Sequence, residues 1–137
     1  MDILPDWEQG APAVLCVTGP HAIPVSTALR AADRRVVLAL GRRRDTLARL
    51  RDDPEVALCV LAAGVAFTAH GRAAVVREEL HGAPHVAALA IDVERIQDHL
   101  AGSRTEILAA ARWRWTEEDA ARDEERIVAE LRALSDQ

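Results

Sequence analysis

The 137 residues include no lysine, no tyrosine and no asparagine, and only one phenylalanine. All 17 basic positions are therefore arginine, so a run of arginines is less surprising here than in an average chain. Cysteine is scarce as well. Cys16 and Cys59 each stand inside an apolar run, AVLCV and VALCV, with no C-x-x-C or metal-binding spacing. Thiols in such runs act as small hydrophobes and are expected to be reduced. No segment approaches the ~20 apolar residues of a membrane span. The opening MDILPDWEQG has neither a basic n-region nor an apolar h-region, so the expectation is a soluble cytoplasmic protein without membrane contact.

Net basic charge is also lacking. The formal charge is -5, and its distribution is uneven: from Thr116 onward eight acids outnumber three arginines, while the fourteen acids and fourteen arginines before it cancel. A neutral body with an acidic tail is not the footprint of a nucleic-acid binder, which needs a net basic face for phosphate. What is present is apolar content of 50%, enough at this length for one domain, 1–137, with a real core.

The organising stretch is Arg35 to Val60, RVVLALGRRRDTLARLRDDPEVALCV. Two apolar runs, Val36 to Leu40 and Val56 to Leu61, have strand length. The insert between them opens with Gly41, Arg42, Arg43, Arg44 and Asp45 and closes at Pro54. Asp45 is the expected N-cap, and Leu47 and Leu50 share a face, so the insert reads as about two turns of helix. A helix N-terminus offers unpaired N–H groups and partial positive charge, and guanidinium groups add fixed donors suited to phosphate or carboxylate. The candidate anion site is Arg42, Arg43, Arg44 and Thr46. The bland alternative is that some of these arginines only solvate the surface.

Period-two alternation predicts strands over Ile23 to Leu29, Val65 to Val76 and Ala87 to Ile96, the last of which would also tolerate a helix; a short apolar run predicts one over Ala13 to Val17, and Ile107 to Trp115, ending in the alternating Trp113 and Trp115, is the last candidate. Pro24 fits the start or edge of its strand, Ala62-Ala63-Gly64 a hairpin turn, and mid-strand Gly71 a bulge or a close backbone approach. From Thr116 the pattern becomes helical. Thr116 and Asp119 have capping-box spacing, and Ala120, Ile127, Leu131 and Leu134 form one stripe of an amphipathic helix of about five turns, 116–135, which needs the barrel or a partner to pack on. Six or seven antiparallel strands with a short helix between strands and a C-terminal helix form a mainly β architecture, best closed as a small barrel over 13–115.

Three pieces in combination resemble a known family: His21-x-x-Pro24-Val25, then LxRLRxDPxVALxV over Leu47 to Val60, then Gly71-Arg72-Ala73 followed by Val75-Val76. They are similar to the pyridoxamine 5'-phosphate oxidase-like, FMN-binding split β-barrel superfamily over roughly Ala13 to Trp115. The resemblance implies a homodimer binding FMN, or a deazaflavin, in a groove at the dimer interface, and redox chemistry on a small-molecule substrate. It places the cofactor phosphate near the strand-to-helix turn. It also implies that Pro24, Val25, Ser26 and Thr27 line the isoalloxazine side and that Trp113 and Trp115 lie on a late strand reaching the partner's site. Where many relatives carry Ser-x-Lys at the helix start, this chain has Arg44 and Thr46, so a phosphate would lean on Arg42 to Arg44 or Arg49.

Other constellations are weaker. His81 and His85 are four apart in a Gly/Pro loop with no completing ligand, so no metal is assigned. His70, beside Gly71-Arg72, is a candidate for a flavin edge, a structural strand histidine being the simpler reading. No Ser-His-Asp or Cys-His arrangement supports nucleophilic catalysis, and the catalytic residues stay unassigned. That absence agrees with a cofactor carrying the redox step. It agrees equally with a non-catalytic cofactor-binding or protein-interaction barrel.

Overall fold

The two edges of the sheet are neighbours in the chain. The computed structural model describes residues 1–136, which form seven antiparallel strands and two helices. The strands are β1 (Ala13–Val17), β2 (His21–Val25), β3 (Leu29–Ala32), β4 (Arg35–Gly41), β5 (Glu55–Ala62), β6 (Val65–Arg77) and β7 (Val86–Asp98). Helix α1 (Asp45–Asp52) links β4 to β5, and α2 (Glu118–Ser135) follows the last strand. Hydrogen-bonded order is β2-β1-β5-β6-β7-β4-β3, so β2 and β3 end the ladder on opposite sides and do not pair. The barrel is thus split, as the family resemblance implies, and not closed as the strand pattern alone suggests.

The predicted strand Ile23 to Leu29 is broken at Ser26 to Ala28. Val25 pairs with Ala13 of β1, whereas Leu29 pairs with Val37 of β4, so the chain crosses from one edge to the other within three residues. Alternation survives the break because Val25, Thr27 and Leu29 are all buried. Periodicity sees burial, not partners. Gly71 sits at a register shift between β6 and β7, and a Cβ there would lie 2.1 Å from the Asp92 carbonyl oxygen, which is why the position carries none. Gly64 turns the β5–β6 hairpin with φ +73°.

The interior is lined from β1, β4, β5, β6 and β7 by alternate residues such as Leu15, Leu38, Leu58, Phe67 and Ile91. Trp7 packs on Phe67 and donates its indole N–H to the Ala28 carbonyl (3.1 Å). A second apolar layer forms on the outer face of β3, β4 and β7, where Val37, Ala88 and Ala90 meet Val128, Leu131 and Leu134 of α2. The amphipathic helix therefore covers its own sheet.

Three local expectations change. Residues 107–115 form no strand: Ile107 accepts one bond from the Gly64 N–H (2.9 Å) but no ladder follows, and both tryptophans anchor through their indoles instead. Neither helix has the predicted cap. Arg44 and Glu117 occupy the N-cap positions without side-chain cap bonds, while Asp45 lies inside α1 and bonds Arg49, and Asp119 pairs with Arg122. A nearby guanidinium is a stronger partner for either carboxylate than an exposed backbone N–H. Cys16 and Cys59 are free thiols, half-buried on the outer face rather than in the core.

Candidate functional site

Gly41 ends β4 and the three arginines turn the chain into α1. The Arg42 N–H donates to the His85 carbonyl (2.9 Å) and the Arg44 N–H to that of Gly41 (3.1 Å), which ties the turn to the β6–β7 connection. Arg44, Leu47 and Arg51 then share one helical face by their spacing. Together with Gly41, Arg42 and Arg43 they line a hollow of about 850 Å³ whose far wall is Glu78, Pro84 and His85.

The arginines there divide in two. Arg42 is paired with Glu79 (2.7 Å) and Arg51 with Glu78 (2.6 Å). Arg43 and Arg44 have no side-chain hydrogen bond or ion pair among the described residues, and both are exposed at the hollow. Two uncommitted guanidinium groups beside the first turn of a helix are suited to a phosphate or carboxylate.

Gly41 and Arg44 are shared with a second, smaller slot of about 120 Å³, lined by Ile23 to Thr27 on one side and Ala39 to Gly41 on the other. The expected ring-lining residues Pro24, Val25, Ser26 and Thr27 thus adjoin the arginine turn. Thr27 braces the wall, its hydroxyl oxygen accepting the Ala39 N–H (3.0 Å). Ser26 donates its hydroxyl proton to the Glu124 carboxylate on α2 (2.6 Å), whose other oxygen accepts the Trp115 indole N–H (3.1 Å).

Four predicted site residues lie elsewhere. Thr46 is buried at 1% exposure with its hydroxyl 3.0 Å from the His21 ring, so it joins β2 to α1 and offers nothing to the hollow. Arg49 turns back to Asp45 (2.8 Å) and the Thr18 carbonyl (3.3 Å). His70 is on the outer face of β6, 3.2 Å from Gln97. Trp113 donates to the Gly10 carbonyl (2.7 Å), lines a separate hollow beside residues 8–11, and stacks edge-on with Trp115 at 5.6 Å between ring centroids.

The surrounding carboxylates are committed to structure. The Arg49 hydrogen bond, and then its charge, hold Asp45 below the ordinary carboxylate range. The Glu55 N–H and the Thr18 hydroxyl do the same for Asp53, which ties the β1–β2 turn to the end of α1. On α2, burial pushes Glu130 up, yet bonds from the N–H groups of Gly82 and His81 and from Arg77 outweigh it, and its pKa is lowered. Glu130 thereby fastens the connection that forms the far wall of the hollow.

Arg51 could have been found from the sequence, since it is seven residues after Arg44 on a predicted helix. His85 and Glu124 could not, because they reach the site through tertiary contacts with residues far back in the chain, the His85 carbonyl with the Arg42 N–H and Glu124 with Ser26.

No family model and no curated protein matches the chain. Solved structures do match. A putative pyridoxamine 5'-phosphate oxidase from Listeria innocua aligns with a TM-score of 0.54 at 18% identity, over 67% of this chain and 89% of its own. An F420 reductase aligns with a TM-score of 0.53 at 9% identity, over 69% of this chain and 98% of its own. An FMN-binding protein from Syntrophomonas wolfei subsp. wolfei gives 0.50 at 10% identity, over 67% and 78%. At these identities the likeness establishes the fold alone, a split β-barrel.

Proposed function

We propose that this split barrel binds a flavin-type cofactor, FMN in the first place, and acts with it as an oxidoreductase on a small molecule. The observation carrying this reading is the pair of uncommitted guanidinium groups, Arg43 and Arg44, on a hollow that shares Gly41 and Arg44 with the slot of Pro24 to Thr27. The descriptions of the structural neighbours as an FMN-binding protein and an F420 reductase support a flavin or a deazaflavin. The deazaflavin is the alternative cofactor.

In this reading Arg43 and Arg44 hold the phosphate, and Arg42 and Arg51, neutralised by Glu79 and Glu78, shape the hollow without competing for it. Ile23, Pro24 and Val25 supply an apolar wall that excludes water from one side of the ring. The bound flavin would supply the hydride chemistry, and the protein binding and orientation, so no nucleophile or general base has to stand in the slot. A slot of about 120 Å³ is far below the ~300–1,000 Å³ of a pocket that encloses a ligand of this size. It is half a site, and a second copy of the chain in a homodimer completes it.

Thermal unfolding with FMN, FAD and a deazaflavin cofactor tests the reading. A ligand at one hundred times its dissociation constant stabilises the native state by ~2.7 kcal/mol, several degrees for a domain of this size. A shift with FMN or the deazaflavin, followed by turnover with a reduced nicotinamide, is the expected outcome. Absence of any shift in the whole series would leave the arginines solvated and end the cofactor reading.

A further inference from the structure

The slot beside Arg44 has a directional hydrogen-bonding character set from the C-terminal helix. A serine hydroxyl has one proton to donate and lone pairs to accept. Ser26 commits that proton to the Glu124 carboxylate at 2.6 Å, the length of a charge-assisted O–H···O⁻ bond. Glu124 is itself fixed, half-buried on α2 and bonded through its other oxygen to the Trp115 indole. The helix is locked in turn by Val128, Leu131 and Leu134 against the sheet.

Among the slot's polar side chains, Ser26 is the one whose hydroxyl lone pairs are both unengaged. Thr27 is occupied by the Ala39 backbone, and Arg44 can only donate. We infer that Ser26, held by Glu124, is a specificity-determining acceptor that selects a ligand presenting an N–H at the ring edge in this slot, with Glu124 as its positioning residue. The inference rests on the cofactor reading above and deepens it. An oxidised isoalloxazine carries a single ring N–H, at N3, between two carbonyls, and that edge is the one Ser26 would read.

The test compares the full-length protein's affinity for FMN with that for 3-methyl-FMN, in which a methyl group replaces the N3 proton and so removes the donor. The wild-type protein is expected to prefer FMN by about tenfold, the worth of one neutral hydrogen bond at the upper end of its range. Ser26→Ala should erase the preference, and Glu124→Leu should narrow it at least threefold. Glu124→Gln, whose amide oxygen can still accept the serine proton, should restore it. A purely structural role for Glu124 would instead lower both affinities alike and leave their ratio unchanged. Equal wild-type affinity for the two ligands, or a full preference in Ser26→Ala, overturns the inference while leaving the cofactor reading intact. If FMN and the deazaflavin both fail to bind the wild-type protein, that reading falls and the inference with it.

Discussion

At the scale of single residues, equal chemistry meets unequal commitment. Arg42, Arg43 and Arg44 are adjacent, yet only Arg42 is already paired, with Glu79 at 2.7 Å. Replacing Arg43 or Arg44 by Ala should weaken FMN binding by ~1.5–3 kcal/mol for each charged hydrogen bond lost. Arg42→Ala should cost distinctly less, because its charge is balanced before the ligand arrives. Isothermal titration of the three variants decides this, and equal losses would mean that the arginines act as a diffuse field. Thr46 makes the opposite case. With its hydroxyl 3.0 Å from the His21 ring and only 1% exposure, Thr46→Val should reduce stability by about 1–2 kcal/mol and leave cofactor affinity unchanged. Urea unfolding read beside the titration separates the two effects. Residue type marked the arginines as candidates, but which of them is free depends on Glu78 and Glu79, far along the chain, and no local pattern reports that.

Elements were legible where burial sets a period, and illegible where the identity of a partner decides. Strands β1, β5 and β6 bury alternate residues, β4 and the first half of β7 are buried on both faces and show as apolar runs, and α1 and α2 follow their apolar stripes. The break at Ser26 to Ala28 leaves the alternation undisturbed, so it could not be read. Residues 107–115 alternate equally well, yet side-chain anchors from Trp113 and Trp115 take the place of a ladder. Helix α2 was legible as an amphipathic element, but its polar role was not, since Glu130 binds a loop about 50 residues earlier. That role has a pH signature. The folded pKa of Glu130 is lowered, so its contribution to stability is complete above the unfolded value, near 4.5, and is lost as pH falls through the folded one. The stability gap between the wild type and Glu130→Gln should therefore be largest at neutral pH and shrink in acid. Denaturant unfolding at pH 7 and pH 3.5 measures it, and a gap of constant size would place the worth of Glu130 in packing.

For the whole molecule, the decisive asymmetry is between the two halves of the sheet's outer face. Over β3, β4 and β7 that face is covered by α2. Over β1, β5 and β6 it is bare, with Val14 41%, Leu61 49% and Val76 41% exposed and both cysteines half-buried among them. The register ties this bare face to the candidate site: Pro24, Val14, Cys59 and Thr68 stand opposite one another across β2, β1, β5 and β6, so a slot-lining residue is the end of the same row. A second copy seated there would bury apolar surface along the row that ends at Pro24. This is the face proposed for the homodimer. A charge placed in it, as in Val14→Asp or Leu61→Glu, should shift the protein toward monomer by sedimentation equilibrium, because an unpaired carboxylate in an apolar contact costs several kcal/mol. The same variants should keep their far-ultraviolet spectra, since both side chains point away from the core, and should lose most of their FMN affinity although no arginine has been touched. Monomeric variants that bind FMN as well as the parent would show the slot to be complete in one chain, and the partner would then have no part in the site.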